Sequence, residues 1–106
     1  MQVDNGRLLY EILTRLDKLK SGQAVLLQPF KKDRSISITL SGDSFHIIEQ
    51  GFEKNEFMVE AKKIRKLLKT LCKREFPHSR KVWLRVLKHE EVAGFPRHHR
   101  PPIRVA

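Results

Sequence analysis

The chain has 106 residues, 40% of them hydrophobic, with 22 Lys and Arg against 12 Asp and Glu, a net charge of +10 and an isoelectric point near 10.2. That length is one domain's worth, since single domains usually run from about 50 to 250 residues, and it suffices for a core without disulfide or metal staples, which become usual below about 40 residues. The single cysteine, Cys72, excludes an internal disulfide, and no apolar run approaches the ~20 residues that span a bilayer, so no membrane partner is expected and a reducing, cytoplasmic compartment is the natural setting.

Charge is unevenly spread. Residues 1–60 hold eight basic and nine acidic side chains, whereas residues 61–106 hold fourteen basic and three acidic ones. The second half therefore carries the whole positive excess, which attracts anionic surfaces and makes any such binding sensitive to salt. The opening Met1–Gln2–Val3–Asp4–Asn5–Gly6 lacks the basic-then-apolar order of a secretion signal.

In chain order, residues 5–20 are predicted to form a helix. Asp4 or Asn5 would cap it, and Leu8, Leu9, Ile12, Leu13, Leu16 and Leu19 recur at helical spacing as a packing stripe. Lys18 and Lys20 suit the negative end of the helix dipole, and Gly22 would close the helix in a left-handed conformation. Ala24–Gln28 reads as a strand that Pro29 ends, followed by the polar turn Lys31–Arg34. Ser35–Leu40 alternates strictly, with Ile36, Ile38 and Leu40 inward; Gly42 turns the chain, and Ser44–Glu49 returns with Phe45 and Ile47 on one face, His46 and Ile48 on the other. Glu56–Val59 is a short fourth strand after a turn at 50–55, completing an antiparallel meander.

A second helix is expected over residues 60–74, with Ala61, Ile64, Leu67, Leu68, Leu71 and Cys72 as its apolar stripe, stopped by Pro77. Arg80–Lys88 alternates as a last strand, with Val82, Leu84 and Val86 facing one way and Lys81, Trp83, Arg85 and Leu87 the other. Residues 89–106, with three prolines, three histidines and three arginines, are expected to be a flexible basic tail beyond a single α+β domain spanning 1–88. The predicted architecture is an antiparallel sheet of four to five strands with two helices, in the order α-β-β-β-(β)-α-β, the helices covering one face. An open face or edge would favour a homodimer.

The strongest candidates for chemistry are cations. Lys62, Lys63, Lys66, Lys69, Lys73 and Arg74 crowd the second helix, where like charges at i,i+4 such as Lys62–Lys66 and Lys69–Lys73 repel by a few tenths of a kcal/mol each. A phosphate backbone would relieve that repulsion; the competing reading is a solvated helix face. Arg80, Lys81 and Arg85 extend the basic character into the last strand, and Trp83 between Lys81 and Arg85 suits a stacked base, the competing reading being packing under a helix or the tail. A positive stripe joining the second helix to Trp83 would favour nucleic acid.

His89, Glu90, Glu91, His98 and His99 lack a closed four-ligand metal spacing. Cys72 lies on an apolar stripe and reads as a small buried hydrophobe, although Lys69, Lys73 and Arg74 nearby would favour its thiolate. No phosphate-cradling glycine loop, nucleophile elbow or zinc knuckle is present, so no catalytic residue and no cofactor are expected.

The order helix, three or four strands, helix resembles that of double-stranded-RNA-binding domains, whose second helix also opens with lysines, as in Glu60–Ala61–Lys62–Lys63. The added final strand and the hairpin at 51–56 depart from that pattern. A four-strand meander followed by a helix also resembles the single-strand-binding Pur-like repeats. Both likenesses concern element order, which does not establish function. The function expected from the sequence is largely sequence-independent binding of DNA or RNA. The alternatives are a protein–protein adaptor whose basic face meets an acidic partner, and a small enzyme acting on a phosphorylated or nucleic-acid substrate.

Overall fold

The computed structural model describes residues 1–31 and 33–88 and, beyond them, the backbone of 103–105. The fold is α+β, built on one sheet. Its strands are β1 (Gln2–Asp4), β2 (Ala24–Pro29), β3 (Ser35–Ser41), β4 (Ser44–Gln50), β5 (Lys54–Glu60), β6 (Lys81–Leu87) and β7 (Ile103–Val105). The order across the sheet is β1-β6-β2-β3-β4-β5-β7. The first six strands pair antiparallel, and β7 lies parallel to β5. The expectation of a flexible tail falls on residues outside the described set except for β7.

Alternation explains which face is which. Val25, Leu27, Ile36, Ile38, Phe45, Ile47, Phe57, Val59, Val82 and Leu84 project to one side and meet both helices in a single buried cluster. Helix α1 (Leu8–Leu16) contributes Leu8, Ile12 and Leu16, and helix α2 (Ile64–Glu75) contributes Ile64, Leu68 and Leu71. Each helix is entered through a single 3₁₀ turn, Asn5–Arg7 and Ala61–Lys63. Burial at roughly 1.5–3 kcal/mol for each large aliphatic side chain makes this cluster the main source of stability. The other face carries a smaller buried cluster, Ala24, Leu26 and Leu87, and Glu56 there is buried against Nε2 of His46. Gly22 (φ 89°) and Gly42 (φ 61°) take the positive φ that their turns require.

The structure corrects several boundaries. α1 ends at Leu16, so Lys18 and Lys20 lie beyond it and Arg15 occupies its last turn. Neither Asp4 nor Asn5 caps a helix through its side chain: Asp4 belongs to β1, a strand too short and polar to carry a periodic signal. Ala61 is exposed in the 3₁₀ turn, outside the apolar stripe. Val86 alternates as expected but is 47% exposed, beyond the stretch Lys81–Trp83 that β1 pairs with, while Leu87 on the opposite side is buried.

Strand polarity gathers three loops at one end of the sheet: 30–34 after β2, 51–53 after β4, and 76–80 between α2 and β6. Gly51 is where two of them touch. A Cβ there would collide with the Glu75 carboxylate and come within 2.9 Å of the Arg34 side-chain stem. Gly51→Ala should therefore destabilise the fold by about 1–3 kcal/mol, the usual cost of overpacking, measured as a shift in urea midpoint; an unchanged midpoint would show that the loops separate freely.

Candidate nucleic-acid interface

The loop end of the sheet is wired by buried carboxylates. Glu75, the last residue of α2, is 1% exposed, and its carboxylate accepts the backbone N–H groups of Phe52 (2.8 Å) and Glu53 (3.2 Å). Arg34 donates through Nη1 to the Glu75 carbonyl at 3.0 Å, satisfying one of the orphan acceptors at the helix end. Glu49, the last inward-facing residue of β4, is fully buried. It accepts from Nε and Nη2 of Arg74 (2.9 and 2.7 Å) and from Nδ2 of Asn55 (3.0 Å). Arg74 also pairs with Glu53 at 2.7 Å. Asn5 secures the remaining loop: its Nδ2 donates to the carbonyls of Phe76 and Ser79, both at 2.8 Å, and its backbone N–H to that of Arg80 at 2.8 Å.

On this frame sits an open cleft of about 680 Å³. Pro29, Phe30, Lys31, Asp33 and Arg34 form one wall; Glu75 and Pro77–Lys81 form the other, with Gln2 alongside. Four cations, Lys31, Arg34, Arg80 and Lys81, face it together with His78, against the exposed Asp33 and the buried, hydrogen-bonded Glu75. A second depression of about 500 Å³ runs between the start of α1 and α2 and is lined by Asn5, Gly6, Lys69, Cys72 and Lys73 among others. Pro77 belongs to both. The depression lined by Lys69 and Lys73 and the cleft thus adjoin at that proline.

The sequence-derived candidates divide on the structure. Lys62, Lys63, Lys66, Lys69 and Lys73 are exposed on α2 and its entry turn, Lys62 within 3.4 Å of a Glu60 carboxylate oxygen. Arg80 and Lys81 are exposed in the cleft. Arg74 is committed to Glu49 and Glu53 and is not a free phosphate contact. Trp83 and Arg85 lie on the sheet face opposite the helices, because the Val82 and Leu84 between and beside them pack into the helix-covered core; Trp83 is half-buried. The α2 lysines and Trp83 therefore do not share one surface. Lys31, Arg34, His78 and Phe30 escape a one-dimensional reading. The stretch 30–34 reads as an ordinary polar turn, and only folding opposes it to residues 77–81. The histidine and glutamate candidates at 89–99 lie outside the described residues; among the described residues no cluster of three potential metal ligands occurs.

Burial sets the chemistry of Cys72, raising its thiol to about 12, so the neighbouring lysines do not make it a thiolate. Burial also raises Glu75, and the bond shared with Glu49 adds to this, against the two backbone N–H donors. Glu49 is pushed up by burial too, but bonds from Arg74, Glu75 and Asn55 outweigh it and hold its carboxyl below the ordinary glutamate value. In acid the unfolded chain takes up protons before folded Glu49 does, so stability rises with pH up to the ordinary glutamate range, about 4.3. Above that range the unfolded chain has lost a proton that folded Glu75 retains, so this pair's contribution falls again as pH rises through the raised Glu75 value. Urea midpoints across acid pH should show Glu75→Gln losing the falling limb and keeping the rising one; identical profiles for variant and parent would contradict the raised Glu75 value.

No helix among the described residues is long and apolar enough to cross a membrane. Neither a protein-family model, nor a curated protein, nor a solved structure matches the chain.

Proposed function

We propose that this chain binds nucleic acid through backbone phosphates, along the band that runs from the outer face of α2, past Pro77, into the cleft. The observation that supports this reading most is the convergence of Lys31, Arg34, Arg80 and Lys81 on one cleft, which shares Pro77 with the depression that Lys69 and Lys73 line. A polyanion laid along such a band releases its condensed counterions, the main source of sequence-independent affinity. The buried acids of this end, Glu49 and Glu75, are hydrogen-bonded within the fold rather than exposed in the cleft. Lys62, Lys63 and Lys66 extend the band toward the start of α2. Lysines are point charges suited to phosphates, and the exposed face of α2 offers no Asn or Gln to read base edges.

Two double variants test the band. Lys69→Gln with Lys73→Gln, and Arg80→Gln with Lys81→Gln, should each weaken every oligonucleotide similarly. Each should also reduce the slope of log affinity against log salt by about 1.4 to 1.8. Salt-indifferent binding, or none at low salt, overturns the reading. If binding of acidic polypeptide were lost in the same variants while nucleic acid stayed unbound, the adaptor would take its place.

A further inference from the structure

Phe30 and Phe52 are each 74% exposed, at the tips of two loops that meet at the cleft end of the sheet. A single exposed hydrophobic side chain is ordinary, but these two stand among cations. Phe30 lines the cleft beside Lys31 and Arg34, and the Arg34 guanidinium lies 6.0 Å from the centre of the Phe52 ring. Neither ring contributes to the buried core. Phe30 follows Pro29, which is buried, restricted in φ and paired with Val82 at the end of β2. On the other side, Arg34 is anchored to the Glu75 carbonyl.

We propose that the cleft takes single-stranded nucleic acid, an unpaired base stacking on Phe30 while Lys31, Arg34, Arg80 and Lys81 hold the flanking phosphates. The proposal rests on the polyanion reading above and narrows its ligand. An exposed ring gains from a base only when that base is unpaired and its face is free; in a duplex the faces are already stacked on one another. A phosphate-binding band alone accounts for the cations but leaves the rings unexplained. An acidic peptide would satisfy the cations and offer the rings no planar surface. The cleft's volume, about 680 Å³, falls among pockets that enclose a ligand of small-molecule size, on the order of 300–1,000 Å³, which suits one extended strand.

The experiment uses fluorescence anisotropy at low salt with three probes of equal length: an oligothymidylate, a duplex, and an abasic strand. Phe30→Ala should weaken the oligothymidylate by about tenfold or more and shift the duplex and the abasic strand by less than about twofold. Phe30→Leu, which keeps apolar bulk but loses the aromatic face, should behave like Phe30→Ala, and Phe30→Trp should bind at least as well as the parent. Lys31→Gln should weaken all three probes. Because Phe30 is exposed, its variants should melt with the parent protein; were the alanine variant to melt lower, the leucine and tryptophan variants would carry the comparison. If the Phe30 variants bind oligothymidylate like the parent, or lose all three probes equally, while Lys31→Gln still weakens binding, stacking is overturned and the polyanion reading survives. If the parent binds none of the probes, both fall.

Discussion

The carboxylate of Glu75 is the point on which the loop end of this molecule depends. It closes α2, accepts two N–H groups from the turn between β4 and β5, and sits where a side chain at position 51 would have to be. A buried carboxylate carries a large desolvation penalty unless its acceptor sites are filled. Here they are filled from a different part of the chain, so the helix end and the hairpin cannot move independently without leaving that group unsatisfied. Arg34 brings the third loop into the same arrangement by binding the carbonyl of the same residue. Three loops with little regular structure thereby acquire fixed relative positions, and the cleft between them is a property of the fold rather than of side-chain happenstance.

These cross-links bear on the proposed binding. Ordering flexible loops around a ligand costs free energy at the moment of association, and a site already held in place avoids most of that cost. Asn5 does for the 76–80 loop what Glu75 does for 51–53, by satisfying the carbonyls of Phe76 and Ser79 from the far end of the chain. The lysine side chains that project from α2 are exposed, whereas the cleft's Arg34 is tied to the Glu75 carbonyl.

Much of the architecture could be read from the chain because it obeys simple periods. Strict alternation at Ser35–Leu40, helical spacing at Ile64, Leu68 and Leu71, and the stops at Pro29 and Pro77 each carry a local cause that the tertiary structure had no reason to override, whereas the helix expected to run to Lys20 and close at Gly22 ends at Leu16. β1 could not be read, since three residues with one apolar side chain have no period; it exists because β6 offers an edge for Val3 to join. Glu75 and Glu49 look like surface acids in one dimension, and their burial depends on partners 22 and 25 residues away. The same limit applies to the site. The cations of α2 announce themselves by density, but Phe30, Lys31 and Arg34 acquire meaning only through their proximity to residues 77–81. Arg74 shows the converse: it looks like one more free cation, and long-range pairing removes it from that set.

The strand order has a kinetic consequence. β2, β3, β4 and β5 are neighbours in sequence as well as in space, so they can zip together through short turns, each closure ordering only a few residues. β6 must then return from beyond α2 to lie against β2, and β1 can add only once β6 is in place. Until that return, β2 is an unprotected edge bearing Ala24, Val25, Leu26 and Leu27, an apolar run of the kind that associates with other chains. The interval between formation of the meander and docking of β6 is thus the stage at which a nascent chain is most exposed to aggregation, and substitutions in β6 that leave the finished fold stable could still lower the yield of folded protein.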